Sequence, residues 1–158
     1  MAVAVRRRVP FVRSKVEYRR ILVPLAGEAG LGRTMTNACR LAAERGASVT
    51  AVSVVEVPSE LPLDAHMVEE EAHAKRLVTE AEAIGDAHGV TVVPLVVRAR
   101  SAGHAIVEEA ERSGAEIIVL RAAQRRRARK RGPLFGSTTG FILQNAPCRV
   151  MVSAPAPV

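Results

Sequence analysis

Tryptophan is absent, and aromatic residues make up only 3% of this 158-residue chain. Stacking platforms for single-stranded nucleic acid or RNA need exposed rings, so the sequence argues against that class of binder. No apolar run approaches the roughly 20 residues that a membrane-spanning helix requires. Nor does the N-terminus place an apolar stretch before a small-residue cleavage site, which argues against a secretory signal. The two cysteines, Cys39 and Cys148, are far apart and form no CxxC pair. Thiols so placed fit a reducing, cytoplasmic setting better than a disulfide framework. No local Ser–His–Asp pattern points to a catalytic triad. Glu70-x-x-His73 has the spacing of a di-iron helix, but such sites need matching carboxylates from other helices, and a second copy is missing. The pair therefore reads as part of a solvated acidic helix face.

What remains is an ordinary globular mixture, 48% hydrophobic and 25% charged, of a length suited to one domain with a sizeable core. The net charge of +7 is unevenly spread. Fourteen of the 23 basic residues fall in two segments, residues 1–20 and residues 121–132, and the rest of the chain is acidic. Two local clusters, in place of a basic body, suggest anionic partners at two places. No helix carries a set of Arg, Asn and Gln aimed at base edges, so a specific nucleic acid is not expected.

Residues 1–18 have no period that would bury a face and read as a basic, flexible arm. From residue 19 to 153 strand and helix signals alternate. Apolar runs predict strands at 20–25, 48–55, 90–97, 116–120 and 148–153, with Pro94 marking the third as an edge strand. Helical spacing predicts helices at 31–45, 65–88, 102–113 and 137–145. Asp64 and Ser101 stand as N-caps, and Gly46, Gly89 and Gly114 as stops. Residues 154–158, with Pro155 and Pro157, read as a tail. Continuous apolar strands alternating with helices imply α/β architecture: an open, doubly wound, five-stranded parallel sheet covered on both faces. Ligands of such sheets sit beyond the carboxyl ends of the strands.

One connection is long. RAAQRRRARKRGPLF (residues 121–135) separates the fourth strand from the last helix, where about 2–6 residues are usual. It leads into Gly136, Ser137, Thr138 and Thr139, a helix start that offers free N–H groups, the positive dipole end and hydroxyl donors to an anion. Arg121, Arg125, Arg126 and Arg127 would pair with phosphates through two bonds at a time. A nucleotide, a dinucleotide messenger or another polyanion suits such a loop, and a solvated loop without a ligand is the alternative. GEAGLGRT (residues 27–34) nearly matches a P-loop. It has Arg33 in place of the lysine, and neither EIIVL nor SVTAVSVV ends in the Asp that would hold magnesium.

YRRILVPLAGEAG (residues 18–30), ASVTAVSVVE (47–56), AEIIVL (115–120) and GSTTGFILQNAPCRVMV (136–152) together resemble the universal stress protein family. The likeness spans about residues 18–153. It implies strand order 3-2-1-4-5, a Rossmann-like fold and homodimers made by pairing the last strands, here Arg149, Val150, Met151 and Val152. In the family's nucleotide-binding branch ATP lies between the ends of strands one and four. Carried onto this chain, that site would comprise Pro24, Leu25, Ala26 and Val54 with Arg121 and the Gly136–Thr139 helix start. Two departures stand out. Ala26 occupies the place of an Asp that contacts the adenosine. Arg121 and Gln124 fall where the branch has the glycines of Gly-x-x-Gly, about two residues farther from Gly136 than usual. The resemblance implies a non-catalytic regulatory or stress-response domain that takes an anionic nucleotide, with ATP or another adenine nucleotide as the cofactor. An ATP binder with weak hydrolysis, and a cytoplasmic domain of a membrane transporter that meets the membrane surface through residues 6–20, are the alternatives.

Overall fold

The computed structural model describes residues 18–122 and 136–153. Five strands and four helices alternate: β1 (Arg20–Leu25), α1 (Leu31–Ala43), β2 (Ser48–Glu56), α2 (Val68–Ala87), β3 (Val92–Ala99), α3 (Ala102–Ser113), β4 (Ile117–Arg121), α4 (Ser137–Asn145) and β5 (Arg149–Ser153). The strands form one parallel sheet in the order β3-β2-β1-β4-β5. The fold class is that read from the sequence pattern, and the strand order is the one the family resemblance implies.

Strand residues point alternately to opposite faces, and helices cover both faces, so continuous apolar strands feed two cores. Ile21, Val23, Val49, Ala51 and Val119 pack against α1 and α2 with Met35, Leu77 and Ala81. Leu22, Val52, Ile118 and Leu120 pack against α3 and α4 with Ile106 and Ile142. Fully burying each Val, Leu, Ile or Met side chain among them stabilises the fold by about 1.5–3 kcal/mol. Helices α3 and α4 approach closely because Gly103 has no side chain. A Cβ there would meet the Phe141 ring at 2.9 Å, and that ring packs against His104 at a tilt of 40° with centroids 4.1 Å apart.

Several boundaries differ from the sequence expectation by one to three residues, and two of the differences matter here. Helix α2 starts at Val68, and Asp64 does not cap it; Met67 is the N-cap residue and makes no side-chain cap bond. Strand β3 runs two residues later than its apolar run, because pairing with β2 continues to Glu56 and Ala99. That extension places Arg98 and Arg100 beside the β2–α2 connection, and they hold it. Arg98 donates to the Leu63 carbonyl at 3.1 Å, to the Ala65 carbonyl and to the Glu71 carboxylate. Arg100 donates to the carbonyls of Leu61 at 2.8 Å, Val57 at 3.2 Å and Pro58. These bonds satisfy backbone carbonyls that no regular element pairs. Truncating both arginines to alanine should therefore raise amide hydrogen exchange across residues 57–67 by about tenfold or more, since bonds to charged groups contribute about 1.5–3 kcal/mol each. Exchange in β1 and β4 should stay as it was; an unchanged loop would show that other contacts hold it.

Candidate functional site

The site begins with a difference in pairing. Strand β1 pairs with β2 through Leu25 and Ser53, but with β4 only at Ile21–Ile117 and Leu22–Ile118. Pro24 lies in the stretch that has left β4, and as proline it brings no N–H to a ladder there. The carboxyl ends of β1 and β4 thus diverge where the strand order reverses, and a crevice opens at the topological switch point. It widens into a cleft of about 700 Å³.

Pro24, Leu25 and Val54 form an apolar floor, with Ala26 exposed at its edge. Opposite them stands the start of α4. Gly136 is its N-cap residue with no side-chain cap bond, and the helix's first-turn N–H groups have no intrahelical acceptor. Thr138 and Thr139 line the cleft from this turn, whereas Gly136 and the exposed Ser137 stand outside its walls. Two hydroxyls matter most. Ser53 is 3% exposed and Thr139 is 8% exposed, both side chains line the cleft, and neither hydroxyl has a hydrogen-bond partner among the described residues. No polar side-chain atom among those residues is both sealed from solvent and unpaired, so these hydroxyls open onto the cleft. Ser53 shares the sheet face of Ala51, which packs on α1 and α2, while Thr139 comes from the α4 side. The cleft therefore reaches over the sheet's carboxyl edge to both faces.

Arg121, the last residue of β4, also lines the cleft and donates to the Ala29 carbonyl in the β1–α1 turn. Arg125, Arg126 and Arg127 lie outside the described residues, as do residues 6–17 of the basic arm. On the far rim, α2 brings Glu69, Glu70, His73 and Arg76. The sequence reading assigned Glu70 and His73 to a solvated helix face, and it carries no sign of which helix face overhangs the sheet's carboxyl edge. Glu56, also at the cleft, is engaged: its Oε1 accepts the Ala102 N–H at 2.9 Å and so caps α3. Ser101 holds the N-cap position but makes no side-chain cap bond.

Among the described residues no group of three or more His, Cys, Asp or Glu is arranged to hold a metal ion. Nor is any helix among them long and apolar enough to cross a membrane. Burial pushes both thiols up from their ordinary pKa; at Cys148 a backbone bond from Ile118 works against the shift. Both are therefore protonated at neutral pH, which leaves them poor nucleophiles. The last strand, β5, pairs with β4 on one side only and ends the sheet. Its Val150 and Val152 pack toward α3 and α4 and Met151 toward α1 and α2, while Arg149 is exposed and donates to the Tyr18 hydroxyl at 3.4 Å.

Residues 17–154 match the sequence model of the universal stress protein family. The chain belongs to this family. Its fold is shared with a universal stress protein from Archaeoglobus fulgidus at 23% identity and a TM-score of 0.71, covering 85% of this chain and 98% of that one. A universal stress protein from the same organism, solved in complex with dAMP, aligns at 22% identity and a TM-score of 0.68, covering 87% and 98%. A family protein from Arabidopsis thaliana with AMP bound aligns at 12% identity and a TM-score of 0.61, covering 85% and 90%. A comparison with curated protein sequences gave no match. Within the universal stress protein fold, then, the cleft stands between the ends of β1 and β4, with Ala26 and Arg121 at two of its edges.

Proposed function

We propose that the chain is a non-catalytic regulatory domain that binds an adenine nucleotide in this cleft. The base and ribose would lie over Pro24, Leu25 and Val54 toward Ser53, and the phosphate would meet the N-terminal turn of α4 and Arg121. The observation that carries the reading is the pair of hydroxyls of Ser53 and Thr139, which open onto the cleft without a partner among the described residues. Hydroxyls that face a cleft and are not engaged by the protein are free to bond a ligand, each such bond contributing about 0.5–1.5 kcal/mol. The helix dipole and free N–H groups beside Thr139 favour an anion, and family members carrying dAMP and AMP support the same ligand class. Ala26 has no acceptor for the adenosine, and losing one neutral bond weakens binding by about 0.5–1.5 kcal/mol without abolishing it.

Thr139→Val keeps the shape of the side chain and removes the hydroxyl. Its expected effect is split: AMP affinity falls about 3- to 10-fold in calorimetric titration, while the melting temperature stays level or rises. Ser53→Ala should show the same split. Unchanged affinity in both variants would place the ligand elsewhere. Turnover of ATP above the buffer rate would count against a non-catalytic domain. The same proposal includes a homodimer through the open edge of β5 at Arg149–Val152, supported by that strand's single neighbour.

A further inference from the structure

Arg121 does more at the cleft than add a positive charge. Its side chain leaves β4 and crosses to the β1–α1 turn, over the gap where β1 and β4 no longer pair. There Nη1 donates to the Ala29 carbonyl, and the stem rests on Gly30. A Cβ at residue 30 would collide with Nε, Cδ and Cζ of Arg121. Gly30 also has φ of 78°, in the left-handed region that favours glycine. The backbone favours glycine at this position, and the absence of a Cβ leaves the space that the arginine stem occupies. The result is a bar across the crevice, anchored at both ends.

A guanidinium has five N–H donors, and the carbonyl of Ala29 engages one of its nitrogens. Donors remain for one anion held between Arg121 and the first turn of α4. A longer phosphate chain has two ways out of that cradle among the described residues. Toward the β1–α1 turn it meets the bar itself, and displacing Arg121 would leave the Ala29 carbonyl without this donor. Toward α2 it meets the rim of Glu69 and Glu70, carboxylates without partners among the described residues; with Arg76 beside them, two carboxylates against one guanidinium leave the rim net negative and repel further negative charge.

We infer that Arg121 is the specificity-determining residue of the cleft, and that it restricts the cleft to ligands with a single phosphate, the nucleoside monophosphates. This rests on the reading of the cleft as a nucleotide site. Titration of the full chain with adenosine, AMP and ATP tests it, alongside Arg121→Gly, which removes the bar, and Arg121→Ala, which removes it while keeping a strand-compatible Cβ. Thermal melting of each variant confirms that it is folded. The wild type should bind AMP about tenfold or more tighter than ATP and tighter than adenosine. Both variants should lose AMP affinity several-fold and gain ATP affinity, so that the AMP-to-ATP preference falls by about tenfold or more. A wild type that binds ATP as tightly as AMP, or a preference that survives both substitutions, overturns the assignment to Arg121 and leaves the nucleotide site standing. No heat with any of the three ligands, in wild type and variants alike, overturns both.

Discussion

Replacing Leu22 with alanine is expected to destabilise the chain by about 3 kcal/mol, within the 2–5 kcal/mol range of buried Leu→Ala changes. Leu22 is 0% exposed and sits on β1, the middle strand of the sheet. It packs among Val52, Ile106, Ile118 and Ile142, drawn from two other strands and two helices. The hole left by the missing carbons has walls fixed by sheet pairing on both sides, at Thr50 of β2 and Ile118 of β4. Collapse into it is therefore limited, which puts the cost well above the transfer free energy alone. Urea unfolding measures this as a lower midpoint at unchanged slope. A loss under about 1 kcal/mol would mean that this core is far looser than its packing indicates.

A comparable loss is expected at a residue with no side chain. Gly85 lies in α2 where the helix meets the start of β3. A Cβ there would stand 2.9 Å from the Val90 carbonyl oxygen and 3.1 Å from the Val92 Cβ, and closer still to a Val92 methyl. Part of this obstruction is backbone, so a rotamer change cannot relieve it. Gly85→Val should cost about 2–3 kcal/mol through overpacking, against a gain in helix propensity below about 0.5 kcal/mol. Gly32 in α1 is the control: its Cβ would meet nothing within 4 Å, so Gly32→Ala should leave stability level or slightly higher. If Gly85→Val melted with the wild type, β3 would have to move away from α2 at little cost. Being an edge strand, with β2 as its single neighbour, it is the strand most able to do so.

The fold was legible because its signals are local. Apolar runs such as ILVPL and EIIVL can bury both faces only inside a covered parallel sheet, and Pro94 correctly marked β3 as an edge. What escaped the sequence depends on contacts far apart in the chain. The β2–α2 connection is held by Arg98 and Arg100, some forty residues later, and α3 is capped by Glu56 in place of Ser101. Neither partnership leaves a periodic trace. The cleft was half legible. Pro24, Leu25, Ala26, Val54, Arg121, Thr138 and Thr139 come together, as strand ends and a helix start in this topology must. The rim residues of α2 did not announce themselves. Ser53 had one readable sign, a hydroxyl interrupting the apolar run of β2 at a core-facing position. The crossing of Arg121 to Ala29 depends on the path of one side chain, which no motif encodes.

The sheet also keeps its two cores apart. Leu22 and Val23 are adjacent in sequence, yet their side chains belong to different packing problems, one solved with α3 and α4 and the other with α1 and α2. Side chains on opposite faces belong to separate clusters, so substitutions well apart across the sheet combine nearly as independent terms. Such a molecule can change along two tracks. One face can be repacked through generations of small replacements while the other stays as it is, and only the residues at the carboxyl edge must answer to both.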